Sequence, residues 1–340
     1  MTTYQRLAAF SILKNRILAN NDMLEDVISK AYSRNAWFTP DNIRQAIHSN
    51  LNLLDQANLD EWIKPYHENL EIRTDKTVGL ILAGNIPMVG FHDVLTCLIA
   101  GFNVQIKTSS DDDIIIPYIL DQLIAIEPEF TAKINIVDKL NDFDLIIATG
   151  SNNTARYFDY YFRNVPHIIR KNRNGVALIM KDDTEADFKK LGKDILDYFG
   201  LGCRNVSKIF FPAAFDYSVF FKAIEEYADI SNHYKYNNNY EYNKAIYLVN
   251  GDEHMDNGFL LLKRDERIAS PLGVIYFEEY QDLQELNERL VIEAEKIQCI
   301  VGHTNIDGIS PSVPFGKSQK PGLSDYADGV NILDFLNANR

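Results

Sequence analysis

The sequence predicts an α/β protein built on doubly wound parallel sheet, and three observations carry that prediction. From Val78 onward the chain holds short, continuous apolar runs that end in Gly or Lys, as strands buried on both faces of a parallel sheet do. Segments with helical periodicity alternate with these runs. At 340 residues the chain is long enough for two lobes with a cleft between them.

Before those runs, residues 1 to about 70 carry apolar side chains at helical spacing. Leu13, Ile17, Leu18, Leu24, Val27 and Ile28 share one broad face. Asp41, following Pro40, is the expected cap of a helix through Ile43, Ile47 and Leu51. VGLILAG (78–84) is the first buried strand, and MVGFHDVLTCLIAG (88–101) the helix after it, with Pro87 in its first turn. NVQIK (103–107) is the second strand, followed by a helix through Leu123. KINIV (133–137) and DLIIATG (144–150) are two further buried strands, and NTARYFDYYF (153–162) is a helix leading to GVALIM (175–180).

A second α/β region begins near Ile195. Its strands are KIFFP (208–212), KAIYLV (244–249), LGVIYF (272–277) and QCIVGH (298–303), with helices near 216–228 and 281–297. The polar, Asn-rich stretch YKYNNNYEYN (234–243) reads as a surface loop.

Composition narrows the function. A net charge of -14 argues against nucleic acid as the partner, because a phosphate backbone wants a basic face. No apolar run reaches the roughly 18 residues of a membrane span. The amphipathic N-terminus lacks an apolar signal core, so a mature cytoplasmic protein is expected. The cysteines, Cys97, Cys203 and Cys299, have neither metal-ligand spacing nor a disulfide framework, and no metal site is expected.

Cys203 stands in FGLGCRNVSKIFF, between a helix and a strand. Gly200 and Gly202 permit a sharp turn and a close approach to a ligand, and Arg204 and Lys208 favour a thiolate. Local sequence leaves it divided between a nucleophile and a small residue in a tight turn. Cys97 and Cys299 sit in apolar segments and read as core. AGNIPMVG (83–90) joins a strand to a helix; Asn85 and free backbone N–H groups there can hold an anion, but an ordinary Asn-Pro turn fits better on local grounds. Gly150 and Ser151 stand at a second such junction, where helix capping is the commoner role for the serine. Lys107, taken by position, is a solvated strand-end lysine. The basic stretch RNVPHIIRKNR (163–173) reads first as a solvated face and second as a phosphate contact.

Together these pieces resemble the aldehyde dehydrogenase superfamily, and within it the acyl-CoA reductases, which include the fatty-acid reductase component of bacterial bioluminescence. The resemblance rests on GNIP (84–87), VQIK (104–107), ATGS (148–151), GLGCRNVSKIF (200–210), SPLGV (270–274) and VPFGKSQKPGLSDYADGV (313–330), in the family's order. It implies an aldehyde-dehydrogenase-like fold of two doubly wound lobes: an N-terminal helical segment (1–75), a nicotinamide-cofactor lobe (76–197), a catalytic lobe (198–325) and a tail (326–340) offering an oligomerisation strand. Cys203 becomes the nucleophile and Asn85 one half of an oxyanion hole. Lys107, Gly150 and Ser151 become cofactor contacts. SPLGV falls near the nicotinamide ribose and PFGKS on the substrate side. NAD-preferring members place an acid three residues after the strand-end lysine. Here that residue is Ser110, so NADPH is expected; a one-residue shift would put Asp111 there and favour NADH. The superfamily's water-activating glutamate has no counterpart in HIIRKNRNG (167–175). The implied reaction is reduction of an acyl-CoA or acyl-carrier thioester to an aldehyde through an acyl-cysteine. The alternatives are a CoA-acylating aldehyde dehydrogenase, an acyl-phosphate reductase, a non-redox cysteine acyltransferase or a catalytically silent partner protein. Homo-oligomerisation stays open.

Overall fold

The structure, a computed structural model, describes residues 1–306, 309 and 312–340, with the side chain of Asn21 left aside. It divides into one unit formed by Met1–Asn172 with Gly322–Arg340 and a second formed by Arg173–Pro321.

The first unit opens with helices α1 (Thr3–Ala19), α2 (Asn21–Arg34), α3 (Pro40–Leu53), α4 (Gln56–Ile63) and the single turn α5 (His67–Leu70). The apolar face read from the sequence is shared by α1 and α2, which part at Asn20. Thr39, not Asp41, caps α3: its side chain accepts from Asn42 N–H, Pro40 takes the first helical position and Asp41 lies in the first turn. Strands β1 (Thr77–Ile81), β2 (Asn103–Lys107), β3 (Ile134–Ile136), β4 (Leu145–Thr149) and β5 (His167–Arg170) form a parallel sheet in the order β3-β2-β1-β4-β5. Helices α6 (Phe91–Ile99), α7 (Ile115–Ile126) and α8 (Asn152–Phe162) connect them.

Two expectations fail here. β3 is an edge strand, largely exposed rather than buried on both faces. The basic stretch 163–173 contains β5, and Arg170 points inward. Its guanidinium meets Asp93 of α6 at 2.5 Å, with both side chains buried.

The second unit is a six-stranded sheet in the order β11-β6-β7-β10-β9-β8. Its strands are β6 (Asn174–Leu178), β7 (Val206–Pro212), β8 (Met255–Asp256), β9 (Leu261–Arg264), β10 (Val274–Tyr280) and β11 (Ile297–Val301), all parallel except the β8–β9 pair. Its helices are α9 (Glu185–Leu196), α10 (Tyr217–Ala223), α11 (Tyr234–Asn250) and α12 (Leu283–Ile292). The boundary expected near 198 falls at 172/173, because β6 pairs with β7 and β11.

KAIYLV is not a strand, and YKYNNNYEYN is not a loop; both belong to α11. Tyr236, Tyr240, Asn243 and Tyr247 recur at helical spacing as its buried face. Tyr236 O–H donates to the Phe259 carbonyl and Tyr240 O–H to Asp256, so tyrosine does the packing that an aliphatic stripe would normally announce. The tail is not a strand either: α13 (Ile332–Ala338) buries Ile332, Leu333 and Leu336 in the first unit's core. Among the described residues no helix is long and apolar enough to cross a membrane.

Removing the Asp93 carboxylate takes the nearest counter-charge from a buried guanidinium, and breaking one side of a buried pair typically costs about 3–5 kcal/mol. Asp93→Ala should lower the unfolding free energy by about that amount in a denaturant titration. A loss below ~1 kcal/mol would mean that water solvates Arg170 in solution.

Candidate active site

In the first unit the residues singled out by sequence lie at the C-terminal ends of β1, β2 and β4. With strand order 3-2-1-4-5, β1 and β4 flank the point where the connections reverse direction, the usual ligand crevice of an open parallel sheet. Asn85 follows β1, Lys107 ends β2 as an exposed side chain, and Gly150 and Ser151 follow β4. Ser151 caps α8 by accepting from Thr154 N–H at 3.2 Å. Ser110 is exposed on the loop after β2.

The turn carrying Asn85 differs from expectation. α6 begins at Phe91, and residues 85–90 form bends and turns ahead of it, so Pro87 lies outside the helix. Met88 has φ +61°, which no helix accommodates. Its N–H donates to Asp112 Oδ2 at 2.8 Å. Asp112 is buried, and burial pushes its carboxyl up to about 7; the backbone N–H groups of Met88 and Ile115 oppose the rise and Asp113 adds to it. On the other side of Asn85, a Cβ on Gly84 would lie 2.6 Å from Ser109 Cβ and Oγ, so only glycine fits there. The loop is held from α2: Arg34 donates to the Ser110 carbonyl and pairs with Asp113, and Asn35 donates to the Asp111 carbonyl.

In the second unit, Cys203 sits half-buried on the turn between α9 and β7. Asn205 builds that turn. Its Oδ1 accepts from Gly202 N–H at 2.8 Å, and its Nδ2 donates to the carbonyls of Asp194, Ile195 and Asp197 at 3.1, 3.2 and 2.9 Å. One amide thus takes up the carbonyls that the end of α9 leaves without intrahelical partners. Tyr198, Phe199 and Gly200 all have positive φ (53°, 60° and 79°), a costly run for two aromatic residues. A Cβ on Gly175 of β6 would meet the Arg204 and Asn205 carbonyls at 2.7 and 2.8 Å, so the turn packs directly on that backbone.

Asp194 is the other hub. Its buried carboxylate accepts from Gly316 and Ser318 N–H at 2.6 and 2.9 Å, fixing PFGKS to the helix that leads to Cys203. SPLGV is brought against the same turn. Phe199, Gly200, Ser207, Tyr236, Ser270 and Leu272 share a narrow cavity of about 40 Å³.

Lys208 does not serve the thiol as expected. It is completely buried, paired with Glu278 at 2.7 Å and donating to the Asp265 carbonyl. Cys97 is completely buried; desolvation pushes its thiol well up, with Asp93 adding and Arg170 opposing. Cys299 is buried in β11, its Sγ near the Arg204 carbonyl. Asp183, Asp187 and His303 bring ligand atoms within 4.8 Å of one another, although Asp183 already accepts from Met180 N–H and Asp187 from Thr184. Sequence reading missed Asn205, Asp194 and Asp112. Asn205 was open to notice as an Asn inside a Gly-rich turn, whereas Asp112 was hidden in an acidic run that reads as solvated.

A sequence model of the family described as acyl-CoA reductase (LuxC) matches residues 3–223, well over half of the chain and inclusive of Asn85 and Cys203. SPLGV and PFGKS lie beyond the match. No curated protein matches. Among solved structures, aldehyde dehydrogenase 21 from Physcomitrella patens in complex with succinate aligns with TM-score 0.72 and 11% identity, over 100% of this chain and 84% of that one. A Mycobacterium tuberculosis aldehyde dehydrogenase complexed with NAD+ gives 0.64 and 13%, over 89% and 73%. The aldehyde dehydrogenase KauB from Pseudomonas aeruginosa gives 0.66 and 13%, over 91% and 73%. At these identities the likeness is one of fold.

Asp194 supplies a pH test. Burial raises its carboxyl from 3.8 to about 6, with the Gly316 and Ser318 N–H groups opposing. A group whose folded pKa is raised contributes stability below its unfolded value and loses it as pH rises through the folded one. Relative to Asp194→Asn, the parent should therefore lose up to about 3 kcal/mol between pH 4 and 6.5. Denaturant titrations of both proteins across that range check it. A parent-minus-variant difference that stays flat would place the Asp194 pKa at its ordinary value.

Proposed function

Since the chain belongs to the acyl-CoA reductase (LuxC) family, whose members are oxidoreductases acting at the aldehyde level, we propose that it reduces an acyl thioester, CoA- or carrier-linked, to an aldehyde through an acyl group held on Cys203. The observation that carries this reading is the Cys203 turn. It bears a half-buried cysteine, held by Asn205 against strained backbone, where Cys97 and Cys299 are buried. Strain maintained in this way is a common mark of a working site.

Support for a nicotinamide cofactor comes from the first unit. Its parallel sheet has a switch point whose strand ends carry Asn85, Lys107, Gly150 and Ser151, and the Mycobacterium tuberculosis relative of the same fold is complexed with NAD+. Lys107 and Ser110 would hold the adenosine ribose, while Gly150 and Ser151 would hold the phosphates and the neighbouring nicotinamide. The cofactor, when bound, supplies the hydride.

The remaining chemistry belongs to the chain. Cys203 Sγ, as thiolate, adds to the thioester carbonyl carbon. The Cys203 N–H donates to the oxygen as it takes on negative charge, and Asn85 is proposed as the second donor on the resemblance of GNIP to the family, each such donor being worth about 2.7–4 kcal/mol. The C–S bond to the leaving thiol breaks and that sulfur takes up a proton. After reduction of the acyl-cysteine, the C–S bond to Cys203 breaks, the aldehyde leaves and the thiolate returns. No acid occupies HIIRKNRNG (167–175) to activate water, so the acyl-cysteine persists until it is reduced or returned to a thiol.

The defining experiment follows NAD(P)H consumption with a series of acyl-CoAs, and with an acyl phosphate, in parent and Cys203→Ala. Turnover of acyl-CoA in the parent and none in the variant is expected, with iodoacetamide labelling Cys203 ahead of Cys97 and Cys299. Preference for the acyl phosphate would change the substrate class. Undiminished turnover in Cys203→Ala would dismiss the acyl-cysteine.

Cofactor choice is read at Ser110. A hydroxyl can donate to a 2′-phosphate where a carboxylate would repel it, so the parent should have the higher kcat/KM with NADPH and Ser110→Glu should shift the ratio at least tenfold toward NADH. A ratio that Ser110→Glu leaves in place would mean that Ser110 does not face the ribose.

A further inference from the structure

Asn85, read above as an oxyanion donor, belongs to the first unit, and the loop after β2 grips the chain on both sides of it. On one side Gly84 lies so close to Ser109 that no Cβ fits, with Asp112 N only 3.2 Å from where it would be. On the other side Met88 N–H donates to Asp112 Oδ2 at 2.8 Å, while Met88 holds φ +61°. Met88 is itself 1% exposed and part of the first unit's core, so packing of its side chain and the bond to Asp112 together hold a backbone conformation that is costly for a bulky residue.

The gripping loop is itself ordered. Asp112 N–H donates to the Ser109 carbonyl and Asp111 N–H to Ser109 Oγ, and Arg34 and Asn35 tether the loop to the end of α2. Asp112 is 4% exposed, and its Oδ1 makes no hydrogen bond of normal geometry, although the Ile115 N–H also acts on the carboxyl. Burying a carboxyl under those terms is expensive, and a loop that only needed to be closed would place an apolar residue there.

We propose that Asp112 is a positioning residue that sets the direction of the Asn85 amide, so that the loop bearing Ser110 and the oxyanion turn move as one body. The inference rests on the reading of Asn85 as an oxyanion donor. It makes the cofactor-side loop and the acyl-side donor two ends of one clamp: the 84–88 turn is gripped from the loop after β2 as well as tied to its own helix, whose first residue, Phe91, donates to the Met88 carbonyl at 3.0 Å.

The test is a double-mutant cycle read in steady-state kinetics with one acyl-CoA. Asp112→Ala should lower kcat by about 10–100-fold while KM for acyl-CoA changes by no more than about threefold, as for an interaction made in the transition state. Asp112→Asn, whose amide oxygen can still accept from Met88 N–H, should recover most of that loss. Combined with Asn85→Ala, Asp112→Ala should add nearly nothing, because its effect runs through Asn85. Gly84→Ala presses on the same clamp from the opposite side and should reproduce the kcat loss and its non-additivity, which keeps the test open if Asp112→Ala does not fold. Single-mutant losses that multiply in the double mutants would overturn the clamp while leaving Asn85 its role. An Asn85→Ala enzyme with unchanged kcat would remove the oxyanion reading and the clamp together.

Discussion

The end of a helix leaves carbonyl groups with no partner inside the helix, and in the second unit the answer to that constraint shapes the site. Asn205 offers its Nδ2 to three carbonyls around the end of α9 and takes the Gly202 N–H on its Oδ1. Cys203 lies inside the loop so closed. The positive φ values of Tyr198, Phe199 and Gly200, the close packing on Gly175 and the short run into β7 all follow from turning the chain this tightly. Asp194 extends the arrangement by carrying PFGKS on the same helix.

The first unit solves a similar problem differently. Here the turn that matters precedes a helix, and its backbone is pinned by a side chain from a neighbouring connection rather than from its own. Asp112 and Asn205 are therefore counterparts: each is a buried polar side chain whose hydrogen bonds end on backbone, and each fixes a loop that bears a residue of proposed chemistry. Buried groups of this kind are costly unless satisfied, which confines them to places where geometry is worth the expense.

Sequence reading succeeded where apolar runs had strand length. β1, β2, β4, β7, β10 and β11 announce themselves as Val/Ile/Leu/Phe-rich segments, and the motifs at their ends were legible with them. It failed on α11, because a helix packed through Tyr236, Tyr240 and Tyr247 among asparagines shows little amphipathic contrast. β5 was hidden by its own charges, since Arg170 is stabilised by Asp93, 77 residues away in sequence. Asp112, Asp194 and Lys208 were misread or passed over for the same reason: a charged residue reads as solvated until its partners, which only folding brings near, are known.

The first unit is discontinuous, its last helix arriving only after the whole of Arg173–Pro321. A ribosome releases the chain from the N-terminus, and domains generally fold as units as they emerge. The second unit is continuous in sequence, whereas the core of the first is complete only with Ile332, Leu333 and Leu336 in place. The core of the first unit is thus closed across the whole length of the second, and a chain that ends before Ile332 lacks three of that core's buried apolar side chains.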